Sequence, residues 1–203
     1  SKSLLTIAQQ KSLTKEYYKD LLPSLNKCIQ AIDISDVQTQ KQISHSIRGS
    51  AASFGFDLFA DVFSELEQSL NDLDENAIAK NQDNIEKLTK RYTNPAHVNI
   101  CQGIINHQFS LLKFESQLVA FLEGAQVHIS HLQSAVENND LAMMRILLIK
   151  LSVEINKYAL ESFTQHLDVI EEYLQVKSLD QNLYNKQLNM MSRKFTELNM
   201  WFN

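Results

Sequence analysis

The segment from Ser44 to Glu67 surrounds one histidine with residues that suit phosphoryl-group chemistry. Arg48 follows His45 by three residues and Gly49 follows it by four. Neutral imidazole is a competent nucleophile. A guanidinium group one helical turn away offers a fork of donors to phosphoryl oxygens, and glycine leaves room for a partner to approach. The spacing therefore predicts a histidine that carries a phosphoryl group.

Helical phase predicts that this histidine faces solvent. At about 100° per residue, the apolar side chains of Ile43, Ile47 and Phe54 form an inward stripe. His45 lies roughly opposite that stripe. A structural histidine buried in a core would lie within the stripe, so the periodicity disfavours that interpretation.

Four further residues are predicted to support the site. Lys41 adds a second cation one turn before the histidine, and Ala52 keeps the same side of the helix free of bulk. Gly55 permits a tight turn into the next helix. Glu67, in that helix, is the fourth, and the resemblance given next implies that it accepts the Nδ1 proton of His45 and so presents Nε2 for phosphorylation.

The pattern resembles the signature of histidine-containing phosphotransfer (HPt) domains. That signature is a histidine, Lys or Arg three residues on, glycine four on, a second glycine, and Leu-Glu in the next helix, matched here by His45, Arg48, Gly49, Gly55 and Leu66-Glu67. The resemblance implies a phosphocarrier, not a conventional enzyme, that exchanges phosphate with the aspartate of receiver domains. The receiver supplies Mg²⁺, so no cofactor is expected in this chain, where neither a Gly-rich loop nor an acidic metal cluster occurs.

Composition predicts an all-α protein. The 203 residues include only four Gly and two Pro, and strong period-two alternation is absent. The net charge of −5 argues against non-specific nucleic-acid binding. No apolar run reaches a membrane span, so we expect a cytoplasmic protein without a membrane segment. Cys28 and Cys101 are expected to be buried free thiols.

The expected fold is two consecutive up-down four-helix bundles, the first with an extra N-terminal helix. The boundary is placed at Thr93-Asn94-Pro95, giving an HPt domain at 1–93 and a second bundle at 96–203. Pro23 is expected to break the first helix. The predicted helices are 4–22, 24–34, 37–54, 58–73, 77–92, 96–124, 125–137, 141–158, 161–176 and 179–201.

The two halves align at a constant offset of 104 residues. In that alignment Ile149 stands at the position of His45, and Glu171 stands at that of Glu67. The other signature positions are also changed, with Ser152, Val153 and Ala159 in place of Arg48, Gly49 and Gly55. The second half is therefore predicted to be a degenerate HPt-like bundle that lacks the chemistry.

The helix at 143–155 is apolar nearly all round. Leu147 and Leu151 are expected in the core. Ile149 and Val153 are expected to pack against the long helix at 104–122, the first half or a second protomer, with an internal contact preferred to a homodimer or partner. His128 and His131 have a metal-binding spacing, but no third ligand stands nearby, so no metal site is predicted.

The leading hypothesis is a phosphorelay protein that accepts and donates phosphate on His45, with response regulators or hybrid histidine kinases as partners. One alternative is a non-catalytic HPt-like regulator or adaptor that docks on a histidine kinase or receiver. Another is the phosphoacceptor domain of a chemotaxis-type histidine kinase. A plain helical scaffold, in which His45 is incidental, is the remaining alternative.

Overall fold

A computed structural model describes residues 6–93, 98–108, 110–175 and 180–202. All regular secondary structure in these ranges is helical. The predicted boundary residues Asn94 and Pro95, and the predicted helix ends at 4, 96, 176 and 179, lie outside them. The α-helices are α1 (Ile7–Asp33), α2 (Val37–Ser50), α3 (Asp57–Asp72), α4 (Glu75–Thr93), α5 (Ile100–Asn106), α6 (Leu111–Glu137), α7 (Leu141–Lys157), α8 (Glu161–Gln175) and α9 (Gln181–Phe202).

The chain divides into two compact units. Unit 1 takes in the described residues within 1–95 and 100–114. Unit 2 takes in those within 96–99 and 115–203. The short helix α5 and the first turn of α6 thus belong to the first unit, whereas the sequence assigned everything from residue 96 onward to the second.

Helix α1 runs without interruption through Pro23, so the predicted break there, and with it the extra N-terminal helix, is wrong. A capping box at Thr6 and Gln9 starts the helix. Leu21 and Leu25, on either side of the proline, are both buried. Burying one continuous apolar face compensates for the backbone hydrogen bond that proline cannot donate.

The connection from α1 to α2 is a short capped turn. Ser35 adopts a left-handed conformation with φ of 55°. Asp36 then caps α2, accepting from the amide of Thr39 at 3.1 Å and from its hydroxyl at 2.6 Å. These two hydrogen bonds, the hydroxyl's first, lower the pKa of Asp36. The cap fixes where α2 begins and hence the phase of every side chain along it.

Between α2 and α3, a 3-10 turn (Ala51–Phe54) leads into Gly55, whose φ is 87°. The amide of Phe56 bonds back to the carbonyl of Ala51 at 2.9 Å. The side chain of Phe56 is fully buried and stacks on Tyr18 at 5.6 Å. A left-handed residue here favours glycine, as the sequence predicted for the tight turn.

The start of α6 is tied to this turn, which explains why no helix spans the whole of the predicted 96–124. The amide of Leu111 donates to the carbonyl of Gly55 at 2.8 Å. Ser110 and the amide of Leu112 donate to the two carboxylate oxygens of Asp57 at 2.5 and 3.0 Å. The predicted break at Gly124 is also wrong, because α6 continues through it to Glu137.

Unit 2 repeats local backbone features of unit 1 at the offset of 104 residues. Asp140 caps α7 by accepting from the amide of Met143 at 2.9 Å, as Asp36 caps α2. The amide of Leu160 bonds to the carbonyl of Ile155 at 3.0 Å, the counterpart of the Phe56–Ala51 bond. Ala159, at the position of Gly55, also has a positive φ, of 53°.

Within the described residues, no helix is long and apolar enough to cross a lipid bilayer.

Both cysteines are free and buried, as expected. Burial raises the pKa of Cys28 to about 12 and that of Cys101 to about 11. Because only the thiolate is nucleophilic, we predict that neither thiol reacts with Ellman's reagent at pH 8 in the native protein. Both react in guanidinium chloride, which serves as the control. Rapid release of one equivalent by the native protein would contradict the burial of one of these side chains.

Candidate functional site

Helix α2 presents His45 to solvent. Its buried face is formed by Gln40, Ile43, Ser44 and Ile47, and the side chain of His45 is 71% exposed on the other side. At this exposure, at least one edge of the ring is open to solvent. The imidazole is therefore reachable by a macromolecular partner, as helical phase predicted.

Glu67 on α3 meets the histidine from the neighbouring helix. Leu66 and Leu70 on α3 are buried in the core, which places Glu67 at the edge of the helix interface with a side-chain exposure of 13%. Its Oε1 lies 3.0 Å from Nδ1 of His45. A carboxylate only accepts hydrogen bonds, so this contact requires the proton on Nδ1. The neutral ring then carries its lone pair on Nε2.

Arg48 pairs with the same carboxylate. Its Nε lies 3.1 Å from Oε2 of Glu67. Oε2 is buried and accepts no hydrogen bond within the described residues, so the contact with Arg48 balances charge without directional hydrogen-bond geometry. Arg48 Nη2 also lies 3.5 Å from Nδ1 of His45, but an Nδ1 that donates to Glu67 cannot accept from Arg48. Glu67 thus joins both residues.

The sequence assigned Arg48 only to phosphoryl oxygens and missed its pairing with Glu67. A signal was present, since His45 and Arg48 share one side of α2 and Glu67 was already predicted to reach that side. What the sequence lacked was the separation of α2 from α3, which decides whether one carboxylate reaches both groups.

The remaining predicted residues surround the histidine with little bulk. Gly49 is exposed, and a Cβ added there would meet nothing within 4 Å. Ala52 is exposed on the 3-10 turn. Lys41 is half-buried, and within the described residues no hydrogen bond or ion pair joins it to His45 or Glu67. Gly55 lies in the turn before α3 and sets the direction in which that helix begins.

A comparison with protein-family models found a match in this part of the chain. Residues 13–94 match the Hpt domain. The match covers less than half of the chain and contains α2, α3, α4 and all seven predicted site residues. Residues 13–94 are thus similar to the Hpt domain, a family of histidine phosphotransfer in two-component signalling. Hpt domains are phosphocarrier modules that interact with receiver domains of response regulators or kinases.

Comparisons with curated proteins and with solved structures found no match.

In unit 2, Ile149 occupies the position of His45 on α7 and is 63% exposed. Val153 is 59% exposed. The long helix in the same unit therefore does not cover these side chains, contrary to the internal contact expected there; a homodimer at this face stays a prediction. The core face of α7 also differs, because Leu148 is buried and Leu147 only half-buried.

A shallow depression of about 280 Å³ lies beside Ile149. Its lining includes Glu171, the counterpart of Glu67, and Arg145, the counterpart of Lys41. With isoleucine at the histidine's position, this lining has no nucleophilic nitrogen of the kind found in unit 1.

His128 and His131, whose spacing could suit a metal, lie on α6. The ring of His128 stacks against Phe121 with centroids 6.3 Å apart. Within the described residues, no group of three or more His, Cys, Asp or Glu side chains is placed to hold a metal ion.

The two signature glycines are predicted to respond oppositely to alanine. Gly49→Ala stabilises the protein by about 0.5–1 kcal/mol, because the methyl group meets nothing and the unfolded chain loses freedom. Gly55→Ala destabilises it by about 1–2 kcal/mol, because its φ of 87° is strained for an L-residue. Urea unfolding of both variants measures the difference. Equal effects of the same sign would contradict these backbone roles.

Proposed function

We propose that the chain is a phosphorelay protein that accepts a phosphoryl group on Nε2 of His45 and donates it to the aspartate of a receiver domain. The observation that carries the proposal is the 3.0 Å contact between His45 Nδ1 and Glu67, made by a ring that is 71% exposed. This contact supports Nε2 as the proposed nucleophile, and the exposure of the ring supports its access to a partner.

The proposed transfer is an in-line displacement at phosphorus. Nε2 of His45 attacks the phosphoryl group of a receiver's aspartyl phosphate, an N–P bond forms, and the acyl P–O bond breaks to release the aspartate carboxylate. As Nε2 gives up its lone pair, the ring becomes positively charged, and the carboxylate of Glu67 at Nδ1 stabilises that charge. The reverse step returns the group to a second aspartate.

Charge at the phosphoryl group is balanced by both proteins. The receiver supplies Mg²⁺, as the resemblance to HPt domains implies. Arg48, 45% exposed at its side chain, supplies a cation of this chain beside the ring. Its guanidinium contacts the Nδ1 side of the ring, so we propose that it reorients toward Nε2 when phosphate arrives.

Small residues beside the histidine permit the approach that such a transfer requires. The open space at Gly49 and the exposure of Ala52 serve no packing purpose within the described part of the chain. We propose that the receiver's active-site rim occupies this space.

We further propose that residues 1–93 form the active HPt domain and residues 96–203 a degenerate HPt-like bundle. The matching caps and turn bonds at the offset of 104 residues support the relation between the two units. Ile149 at the histidine's position supports the loss of chemistry in the second. Phosphotransfer then runs through His45 alone.

The test is incubation of the full chain with a panel of receiver domains carrying radiolabelled phosphate. We expect label that is acid-labile and base-stable, as a phosphoramidate bond is. His45→Gln abolishes it, whereas His131→Gln, an exposed histidine on α6, serves as the matched control and retains it. Label on the His45→Gln protein would show the assignment to be wrong.

A related variant tests clearance at the site. Gly49→Leu keeps the fold, because nothing lies within 4 Å of the added Cβ, but it places bulk beside the nucleophile. We expect the transfer rate from a cognate receiver to fall by more than tenfold, the cost of a displacement of about 1 Å in reacting geometry. Gly49→Ala is the control for backbone effects. An unchanged rate for Gly49→Leu would show that the partner does not approach over this surface.

A second candidate function is a non-catalytic regulator that docks on a histidine kinase or receiver. The exposed apolar side chains of Ile149 and Val153 on α7 favour it. The two functions differ in their dependence on His45. Inhibition of a partner that persists in His45→Ala supports the regulator, and complete dependence on His45 excludes it.

A further inference from the structure

Two adjacent residues of α4, Asn81 and Gln82, bind the two helices that carry the site. We propose that they are positioning residues that hold His45 on α2 in register with Glu67 on α3. The proposal deepens the proposed phosphotransfer function and rests on it. Neither residue is part of the signature that identified the site.

Gln82 binds the helix of the histidine. Its Nε2 donates to Oε1 of Gln40 at 2.9 Å. Gln40 is 1% exposed and donates in turn to the carbonyl of Ala31 at 3.1 Å. Gln40 precedes His45 by five residues on α2, so this chain of hydrogen bonds, which is buried at Gln40, fixes α2 against both α1 and α4 near the histidine.

Asn81 binds the helix of the glutamate. Its Nδ2 lies 3.3 Å from Oγ of Ser69, which donates to the carbonyl of Leu66 at 3.0 Å. Asn81 and Ser69 are both buried. Ser69 follows Glu67 by two residues on α3. Two adjacent residues of α4 therefore contact both helices: Asn81 contacts α3 and Gln82 contacts α2.

Directional bonds matter here because the 3.0 Å His45–Glu67 contact lies at the surface, where little packing surrounds the ring. A hydrogen bond weakens steeply with distance and angle, so even a small slide of α2 against α3 weakens this contact. Apolar burial is not directional, so it specifies the geometry of a hydrogen bond less strictly than a polar contact does. Buried hydrogen bonds fix register, although burying their polar groups is costly.

Unit 2 provides an internal comparison. At the offset of 104 residues, the buried position of Gln40 is occupied by Met144, which is 1% exposed. The buried Ser44, which precedes His45, corresponds to Leu148. The helix that carries Ile149 in place of the histidine is therefore apolar where α2 is polar. At these two positions, the polar side chains occur in the unit that carries the histidine and not in unit 2.

The decisive variant replaces both partners of the α2 link, Gln40→Met with Gln82→Met, as unit 2 has methionine at the first position. Replacing both partners with apolar groups of similar shape leaves no buried group unpaired on either side chain. The carbonyl of Ala31 keeps a donor, because the amide of Asp36 also bonds to it at 2.7 Å. The double variant is therefore expected to remain folded.

Two measurements separate positioning from stability. The ¹⁵N shifts of the His45 ring report which nitrogen carries the proton, and we expect a shift of population from Nδ1–H toward Nε2–H. Transfer kinetics with a phosphorylated receiver give a rate at saturation that falls roughly ten- to hundredfold, while the half-saturating receiver concentration stays within about twofold, as expected for a misplaced but still accessible nucleophile.

Ile85→Val on α4 is the matched control, since it loosens a fully buried contact one turn from Gln82 without touching a hydrogen bond. It lowers the melting temperature but leaves the tautomer unchanged. Asn81→Leu tests the contact with α3 alone. If the double variant does not fold, the tautomer of His45 and the transfer rate are measured in Asn81→Leu instead. If the double variant and Asn81→Leu both keep the wild-type tautomer of His45 and the wild-type transfer rate, the proposal is overturned. Absence of label on wild-type His45 would instead overturn the proposed function.

Discussion

The carboxylate of Glu67 is the group on which the site depends. It lies 13% exposed between two helices, with His45 Nδ1 at 3.0 Å from one oxygen and Arg48 Nε at 3.1 Å from the other. A nearly buried carboxylate without partners costs several kcal/mol. Because both partners come from α2, the hydrogen bond of His45 and the charge of Arg48 reach the carboxylate only when α2 and α3 are in one register. The fold therefore sets the tautomer of the exposed ring.

The rest of unit 1 fixes that register at successive points. Asp36 determines where α2 starts, and Gly55 determines where α3 leaves the turn. The start of α6 is hydrogen-bonded to the same turn through Asp57. Reactive side chains gain precision when they stand on rigid helices whose ends are held in this way. The surface around Gly49 is free of neighbouring side chains, so a partner can reach the histidine there.

Periodicity was sufficient to predict the helical class and the outward phase of His45, because both follow from local sequence. It failed where tertiary packing decides. Pro23 reads as a helix end, yet buried Leu21 and Leu25 keep α1 continuous. The pairing of Arg48 with Glu67 depends on the spacing between helices, which one sequence does not contain. Gln40 is polar and gives no sign that it is buried.

Direct observation of the phosphorylated ring tests the central claim. The full chain, with ¹⁵N-labelled histidine, is phosphorylated by a receiver domain, and a ³¹P–¹⁵N correlation identifies the nitrogen bonded to phosphorus. We predict a bond to Nε2 of His45, with Nδ1 still protonated. Phosphorus on Nδ1 of His45, or on any other histidine, would contradict it.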